Sequence, residues 1–379
     1  MDFGLTDEQR ALASTVRDFL ADRFDLAAVR RVFEDPDGDG HPLDLWKSIG
    51  EQGWLAVLVP EEYDGLGLGL LDAQVIARAF GAGVVPGPWL PTVLAGEALR
   101  LAGSPAQQAS WLPRIAAGEV VGTVGLDRAV AVTGGVAVGV LPRVEYAGVA
   151  DLLVVVDPEG GLHTVDPRGD GVTVTPLTQY DGTTRLARVT LEGAPAEALT
   201  AGGPDVLGTL AARAAVLTSA ELAGIAREAV TRTVAYDKDR VQFGRPVGSF
   251  QALKHSLADL HVAATMSEHA ALYSAAALDG GFPDAPTAVS VAKSKTSDTA
   301  KLATQLMIQY HGGIGYTWEH EAHFFYKRAK RLAAAWGDAA THRELLAALL
   351  IDRVGTDAGP VAEPPSVGVS EVSATALPG

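Results

Sequence analysis

The hydrophobic period of this chain changes twice, and that double change limits the folds open to it. Up to about residue 118, apolar residues recur at helical spacing. Leu12, Val16, Phe19 and Leu20 share one helix face, and Thr6 with Gln9 forms a capping box in which each side chain satisfies the other residue's free backbone N–H. Further helices are predicted from Asp44, over Leu71–Ala82 and Leu90–Ala102, and briefly over Ser104–Ala117. Gly53 to Gly67 reads as a buried, turn-rich connector. Near residue 119 the spacing gives way to short β-branched runs. Val130–Val140, Leu152–Val156, Val172–Val174 and Ala187–Leu191 are strand candidates, set apart by turn signals at Asp166-Pro167, Gly169-Asp170-Gly171 and Tyr180-Asp181-Gly182. From about Val206 the helical period returns in long stretches: Leu207–Asp239, Phe250–Asp279, Pro286–Gln309, and a last pair within Glu321–Arg353.

This order predicts a mostly α chain with a small central β domain. Residues 1–118 form a helical domain, 119–203 an antiparallel, barrel-like β domain, and 204–353 a four-helix bundle. The tail, 354–379, is rich in Pro, Gly, Ala, Ser and Val without periodicity and reads as disordered. A chain of 379 residues is too long for one simple core, so several units are expected on length alone.

Composition removes several chemistries. There is no cysteine, which excludes disulfides, thiolate metal sites and a cysteine nucleophile. A net charge of −16 argues against nucleic acid and anionic membranes as partners. It also means that any anion site must be local, built from a few cations and backbone N–H groups. No apolar run approaches the roughly 18 to 20 residues of a membrane span. The acidic start Met1-Asp2-Phe3-Gly4-Leu5-Thr6-Asp7-Glu8 lacks the basic-then-apolar order of a signal peptide, so a cytoplasmic location is expected. His320 and His323 lie beside Glu319 and Glu321 but complete no ligand pattern, and no metal site is expected.

Two stretches carry chemistry. The first is Asp239-Arg240-Val241-Gln242-Phe243-Gly244-Arg245-Pro246, followed by Phe250-Gln251. A pyrophosphate calls for a planar cation with several donors, which Arg240 supplies, while Gly244 and Pro246 end a helix and turn the chain. Taken alone, a solvated helix-end arginine is the simpler reading. The second is Gln309-Tyr310-His311-Gly312-Gly313-Ile314-Gly315-Tyr316, whose glycines let a backbone approach a phosphate and expose N–H groups to it. Alone, this could be a plain glycine-rich helix cap. Both together, at the two ends of the bundle's middle helices, favour a phosphate site.

These two stretches resemble the arginine-x-x-phenylalanine-glycine and glutamine-x-x-glycine-glycine-x-glycine motifs of acyl-CoA dehydrogenases. The likeness extends to Asp2-Phe3, Leu5-Thr6, Gly53-Trp54 and Tyr63-Asp64-Gly65-Leu66-Gly67, and it covers nearly the whole chain to about residue 353. The resemblance implies an FAD flavoprotein of lipid metabolism that oxidises an acyl-CoA thioester and passes electrons to an electron-transfer flavoprotein. It implies that Arg240, Gln242, Phe243, Gln251, Gln309, Gly312 and Gly313 serve the FAD of a neighbouring subunit, with Arg240 at the pyrophosphate and Phe243 near the adenosine.

The same resemblance exposes departures. The family's α-proton base is a glutamate, carried just after the last loop or on the first bundle helix; those positions read Trp336 and Ala214. Asp338 and Glu221 are the remaining carboxylates nearby, Asp338 suiting a helix cap and Glu221 a solvated or paired helix residue. The stretches that hold the flavin ring in the family read Val124–Val130 and Val144–Asp151 and lack its Thr and Ser donors. Lys327, Arg328, Lys330 and Arg331 read as a solvated helix face rather than a phosphate site. The resemblance therefore points to the degenerate subunit of an actinobacterial heteromeric acyl-CoA dehydrogenase, an α2β2 hetero-oligomer with a second dehydrogenase subunit. A homo-oligomeric enzyme with a relocated base and a non-enzymatic scaffold are the alternatives.

Overall fold

The computed structural model describes residues 4–351, so Asp2, Phe3 and the tail from 354 lie outside the described residues. The helical N-terminal region begins with α1 (Asp7–Arg23), closed by the expected capping box: Thr6 Oγ1 accepts from the Gln9 N–H at 3.2 Å and Gln9 Oε1 from the Thr6 N–H at 3.1 Å. A short helix that periodicity did not reveal, α2 (Leu26–Phe33), follows, capped by Asp25. Its length of 8 residues is too short for a periodic signal. Then come α3 (Leu43–Glu51), α4 (Leu70–Gly83), α5 (Trp89–Ala102) and α6 (Pro105–Ala116). The connector before α4 buries Trp54 through Val59, and its backbone folds back on itself through Leu66, Gly67 and Leu68.

The middle sheet contains β1 (Gly122–Gly125), β2 (Val130–Thr133), β3 (Val136–Glu145), β4 (Leu152–Val156), β5 (Leu162–Val165), β6 (Val172–Leu177) and β7 (Leu186–Ala198). Their order is β1-β4-β5-β7-β3-β2, with β6 also on β7. Two expectations need correction. The run Val130–Val140 is a hairpin, broken at Gly134-Gly135, whose φ values of 60° and 79° turn the chain. The sheet is also not wholly antiparallel, because β1 pairs with β4 in parallel. The β2–β3 hairpin and the turn after it supply the crossover such a pair requires. Gly122 of β1 lies against α5, where a Cβ would fall 2.6 Å from the Ala95 methyl.

The C-terminal helices are α7 (Pro204–Asp239), α8 (Gln251–Asp279), α9 (Ala285–Tyr310), α10 (Ala322–Ala334) and α11 (Ala339–Leu350). A two-stranded hairpin, β8 (Val241–Gln242) and β9 (Arg245–Pro246), joins α7 to α8. By length and composition α7 could cross a membrane, which sequence inspection missed, but here its middle is buried against α4, α8 and α9. Contact with α4 is backbone to backbone. A Cβ at Gly224 would sit 2.0 Å from the Arg78 carbonyl oxygen, and one at Gly81 2.1 Å from that of Glu221.

The N-terminal helices are also fixed to the bundle electrostatically. Asp279, the last residue of α8, accepts from the free N–H groups of Leu70 and Leu71 at 3.0 and 2.9 Å, capping α4 from across the molecule. Replacing Asp279 with Ala should lower unfolding stability by about 1 kcal/mol in urea titration, and Asp279→Asn should lose less.

Candidate functional site

The two motif stretches meet at one end of the bundle. Arg240 ends α7, its N–H donating to the Tyr236 carbonyl at 2.8 Å and its carbonyl accepting from Val247 at 2.8 Å. Tyr236, one turn back, stacks on His311 with centroids 4.3 Å apart, and its hydroxyl donates to the His311 carbonyl at 3.2 Å. Tyr310 donates to Ser256 Oγ of α8 at 2.7 Å. The end of α9, and the glycine turn that follows it, are thereby held against the ends of α7 and α8.

All seven motif residues singled out from sequence face solvent here. Phe243 is 90% exposed and held at φ 55°, a left-handed conformation that projects it from the hairpin tip. Behind it, the Arg245 guanidinium lies 4.0 Å over the Phe250 ring. Arg240 has no ion-pair partner among the described residues. Gly312 sits at φ 62°, a Cβ at Gly312 or Gly313 would meet open space, and both glycines are exposed.

A second constellation lies between the sheet and the bundle. Arg328 of α10 donates to Glu221 of α7 at 2.9 and 3.3 Å and to Thr183 Oγ1 at 3.1 Å. One helix turn on, Arg331 binds Asp181 at 2.7 Å and Glu145, at the end of β3, at 2.6 Å. Thr183 donates to Asp181 through its hydroxyl at 2.6 Å, and Tyr146 donates to the Thr183 carbonyl at 3.1 Å while accepting from the Gly87 N–H at 2.7 Å. The chain is thus linked from N-terminal region to sheet to bundle.

This arrangement overturns the solvated reading of the α10 basic run: Arg328 is buried and the Arg331 side chain nearly so. Guanidinium groups can be buried there because Glu221, Asp181 and Glu145 converge on them, from positions 107 to 186 residues away in sequence. Burial favours a neutral Asp181, but Arg331 and Arg328 reverse this and hold its carboxyl below the usual range. Burial likewise opposes the charge on Arg331, yet Glu145 and Asp181 raise its pKa. Burial pushes the Tyr146 phenol up to about 12. The space left among these groups is about 20 Å³, room for one water.

Neither usual base position carries an acid. Ala214 is fully buried on α7. Trp336 packs on the core at φ 57°, in a loop fixed by Lys293 of α9, whose ammonium donates to the carbonyls of Ala333 and Gly337 at 3.1 and 2.8 Å and to Ser297 Oγ at 3.1 Å. Burial pushes that amine down to about 7. Asp338 caps α11, accepting from the Thr341 N–H at 2.8 Å. Glu221 is held by Arg328. Among the described residues no group of three or more His, Asp or Glu could hold a metal.

One buried acid went unnoticed in the sequence. Asp237, on the last turn of α7, is 1% exposed, and neither carboxylate oxygen has a partner among the described residues. Burial pushes its pKa up to about 6.

A helical region, a curled middle sheet and a helical bundle with both motif stretches at one end define the acyl-CoA dehydrogenase class. The acyl-CoA dehydrogenase N-terminal domain model matches residues 6–119, and the C-terminal domain model residues 202–351. The chain belongs to the acyl-CoA dehydrogenase family. It is 36% identical over 324 residues to acyl-CoA dehydrogenase IpdE2 of Mycobacterium tuberculosis, covering 85% of this chain and 91% of that one. Against acyl-CoA dehydrogenase FadE34 of the same organism identity is 32%, over 99% of this chain and 53% of the relative. Among solved structures, a variant of the Tcur3481-Tcur3483 steroid ACAD superposes with a TM-score of 0.84 at 27% identity, covering 92% of this chain and 99% of that one. The ChsE4-ChsE5 complex from Mycobacterium tuberculosis gives 0.84 at 25% identity, covering 94% and 100%.

The cofactor of the family is FAD, and the residues here fit it unevenly. A free guanidinium, side-chain amides and an uncovered glycine turn suit a pyrophosphate. The space lined by Glu145 and Tyr146, in the stretch that the resemblance sets against the flavin, is far too small for a three-ring system.

Two outcomes follow. Arg328→Met, which leaves Glu221 and part of the Asp181 charge uncompensated, should lower stability by about 3–5 kcal/mol in urea unfolding, and Glu221→Leu in the same chain should restore much of the loss. Asp237 has a folded pKa above its ordinary 3.8. Its contribution is therefore full below that value and is lost as pH rises through about 6. Asp237→Asn should melt higher than the parent at pH 8, and the gap should close as the pH is lowered to 4.

Proposed function

We propose that this chain is one subunit of a heteromeric acyl-CoA dehydrogenase, completing the FAD site of its partner without supplying the proton-abstracting base. The observation that carries this reading is the contrast between the chain's two corners. Arg240 and the Gln309–Gly313 turn are joined through Tyr236 and His311 yet left open to solvent. The space beside Glu145 and Tyr146 is filled by paired guanidinium groups, and the usual base positions read Trp336 and Ala214.

In this reading Arg240 and Gln309 donate to the pyrophosphate of the partner's FAD, together with the N–H groups of Gly312 and Gly313. Phe243 lies along the adenosine, and Gln242 and Gln251 bond beside it. The partner is a second acyl-CoA dehydrogenase chain that carries the glutamate base, in an assembly of α2β2 type. Similarity to a steroid ACAD and to the ChsE4-ChsE5 complex supports bulky, steroid-like acyl-CoA thioesters as substrates, with an electron-transfer flavoprotein as acceptor and the cytoplasm as location. The units are 1–118, 119–203 and 204–353.

The test is to purify the chain alone and together with an acyl-CoA dehydrogenase encoded beside it, and to measure FAD per chain. The chain alone should be colourless. The pair should retain FAD that the partner alone loses, and Arg240→Ala should weaken retention about tenfold, as expected for a lost hydrogen bond to a charged group. Turnover of the pair should survive Asp338→Asn. Equal FAD content in the partner with and without this chain would overturn the reading.

A further inference from the structure

The glycine turn carries an exposed tyrosine that none of the roles above uses. Tyr316 closes the 3-10 turn Gly312–Tyr316 and is 70% exposed, yet its hydroxyl lies 3.1 Å from Gln309 Oε1 on the last turn of α9. The reach is set by the backbone. Gly315 is packed so closely on α9 that a Cβ there would fall 2.3 Å from the Ile308 carbonyl oxygen. Thr317 then fixes the end of the turn, its N–H and hydroxyl donating to the Ile314 carbonyl at 3.0 and 2.8 Å. The tyrosine ring is thereby directed back across the turn toward Gln309.

A glutamine amide has one acceptor end and one donor end, and a phosphate only accepts. A free amide at position 309 could present either. With the Tyr316 O–H donating to Oε1, the acceptor end is occupied and both Nε2 hydrogens remain available. Gln242 shows the opposite polarity: its Nε2 donates to the Val241 carbonyl at 2.8 Å, which leaves its oxygen free to accept from a hydroxyl or amine.

We infer that Tyr316 is a positioning residue that holds Gln309 as a hydrogen-bond donor toward the pyrophosphate of a dinucleotide. This rests on the reading that the chain completes a partner's FAD site, and it adds the device that gives Gln309 its direction. Tyr316 need not touch the phosphate itself.

The test measures FAD dissociation from the purified complex by recovery of flavin fluorescence, for Tyr316→Phe, Gln309→Ala, Gln309→Glu and the double variant Tyr316→Phe/Gln309→Ala. Gln309→Ala should weaken binding about tenfold, the loss of a charged-group hydrogen bond, and Tyr316→Phe about threefold to fivefold. The double variant should be no worse than Gln309→Ala, because Tyr316 acts only through that amide. Gln309→Glu keeps an acceptor for Tyr316 but removes the donor, and should bind FAD at least as poorly as Gln309→Ala. Melting of the isolated chain should be unchanged by Tyr316→Phe. The assignment is overturned if Tyr316→Phe has no effect on FAD, or if its effect multiplies with that of Gln309→Ala. Arg240→Ala separates the two failures: if it too leaves FAD binding unchanged, the completion of a partner's site fails, whereas if it weakens binding and Tyr316→Phe does not, only the role of Tyr316 fails.

Discussion

The buried chain of charge from Glu221 through Arg328, Thr183 and Asp181 to Arg331 and Glu145 sets the character of this molecule. It joins four stretches of the chain that have no covalent proximity, and its buried members are acceptable in the interior only because the others are there. A buried guanidinium with one carboxylate would be a liability; two of them shared among three carboxylates and a threonine are mutually satisfied. Tyr146 extends the linkage to Gly87, so the sheet is held on both sides.

That network also occupies space. Between sheet and bundle, the paired residues fill the volume with their own charges and leave room for one water. The loop beyond α10 is closed in the same manner, by Lys293 beneath it and Trp336 within it. The motif residues lie elsewhere, exposed at the end of the bundle. There the opposite physics holds: Arg240 has no ion-pair partner among the described residues, and Phe243 stands exposed at the hairpin tip.

The close contact of α4 with α7 explains how both corners keep their geometry. Gly81 and Gly224 let the two backbones touch, so α7 cannot shift without displacing the N-terminal helices. Because Glu221 lies on that helix and Arg240 is its C-cap, the closed corner and the open corner are fixed in the same frame. Asp279 strengthens this arrangement by capping α4 from the far end of α8.

The sequence by itself determined the succession of helices, sheet and helices, because a period of 3.6 or 2 over many residues is a local property that needs no tertiary partner. It also determined the two motif stretches and the absence of a glutamate at Trp336 and Ala214. It missed α2, β1 and β5, which are too short to show a period, and the parallel pairing of β1 with β4, which depends on a crossover rather than on local pattern. It misread Arg328 and Arg331 as solvated, since a basic run on a helix looks the same whether or not carboxylates await it. Only the tertiary structure brought Glu145, Asp181 and Glu221 to them, left the Asp237 carboxylate buried without a hydrogen-bond partner among the described residues, and placed Tyr316 against Gln309. Burial and ion pairing depend on what arrives from distant parts of the chain, and no local spacing records that.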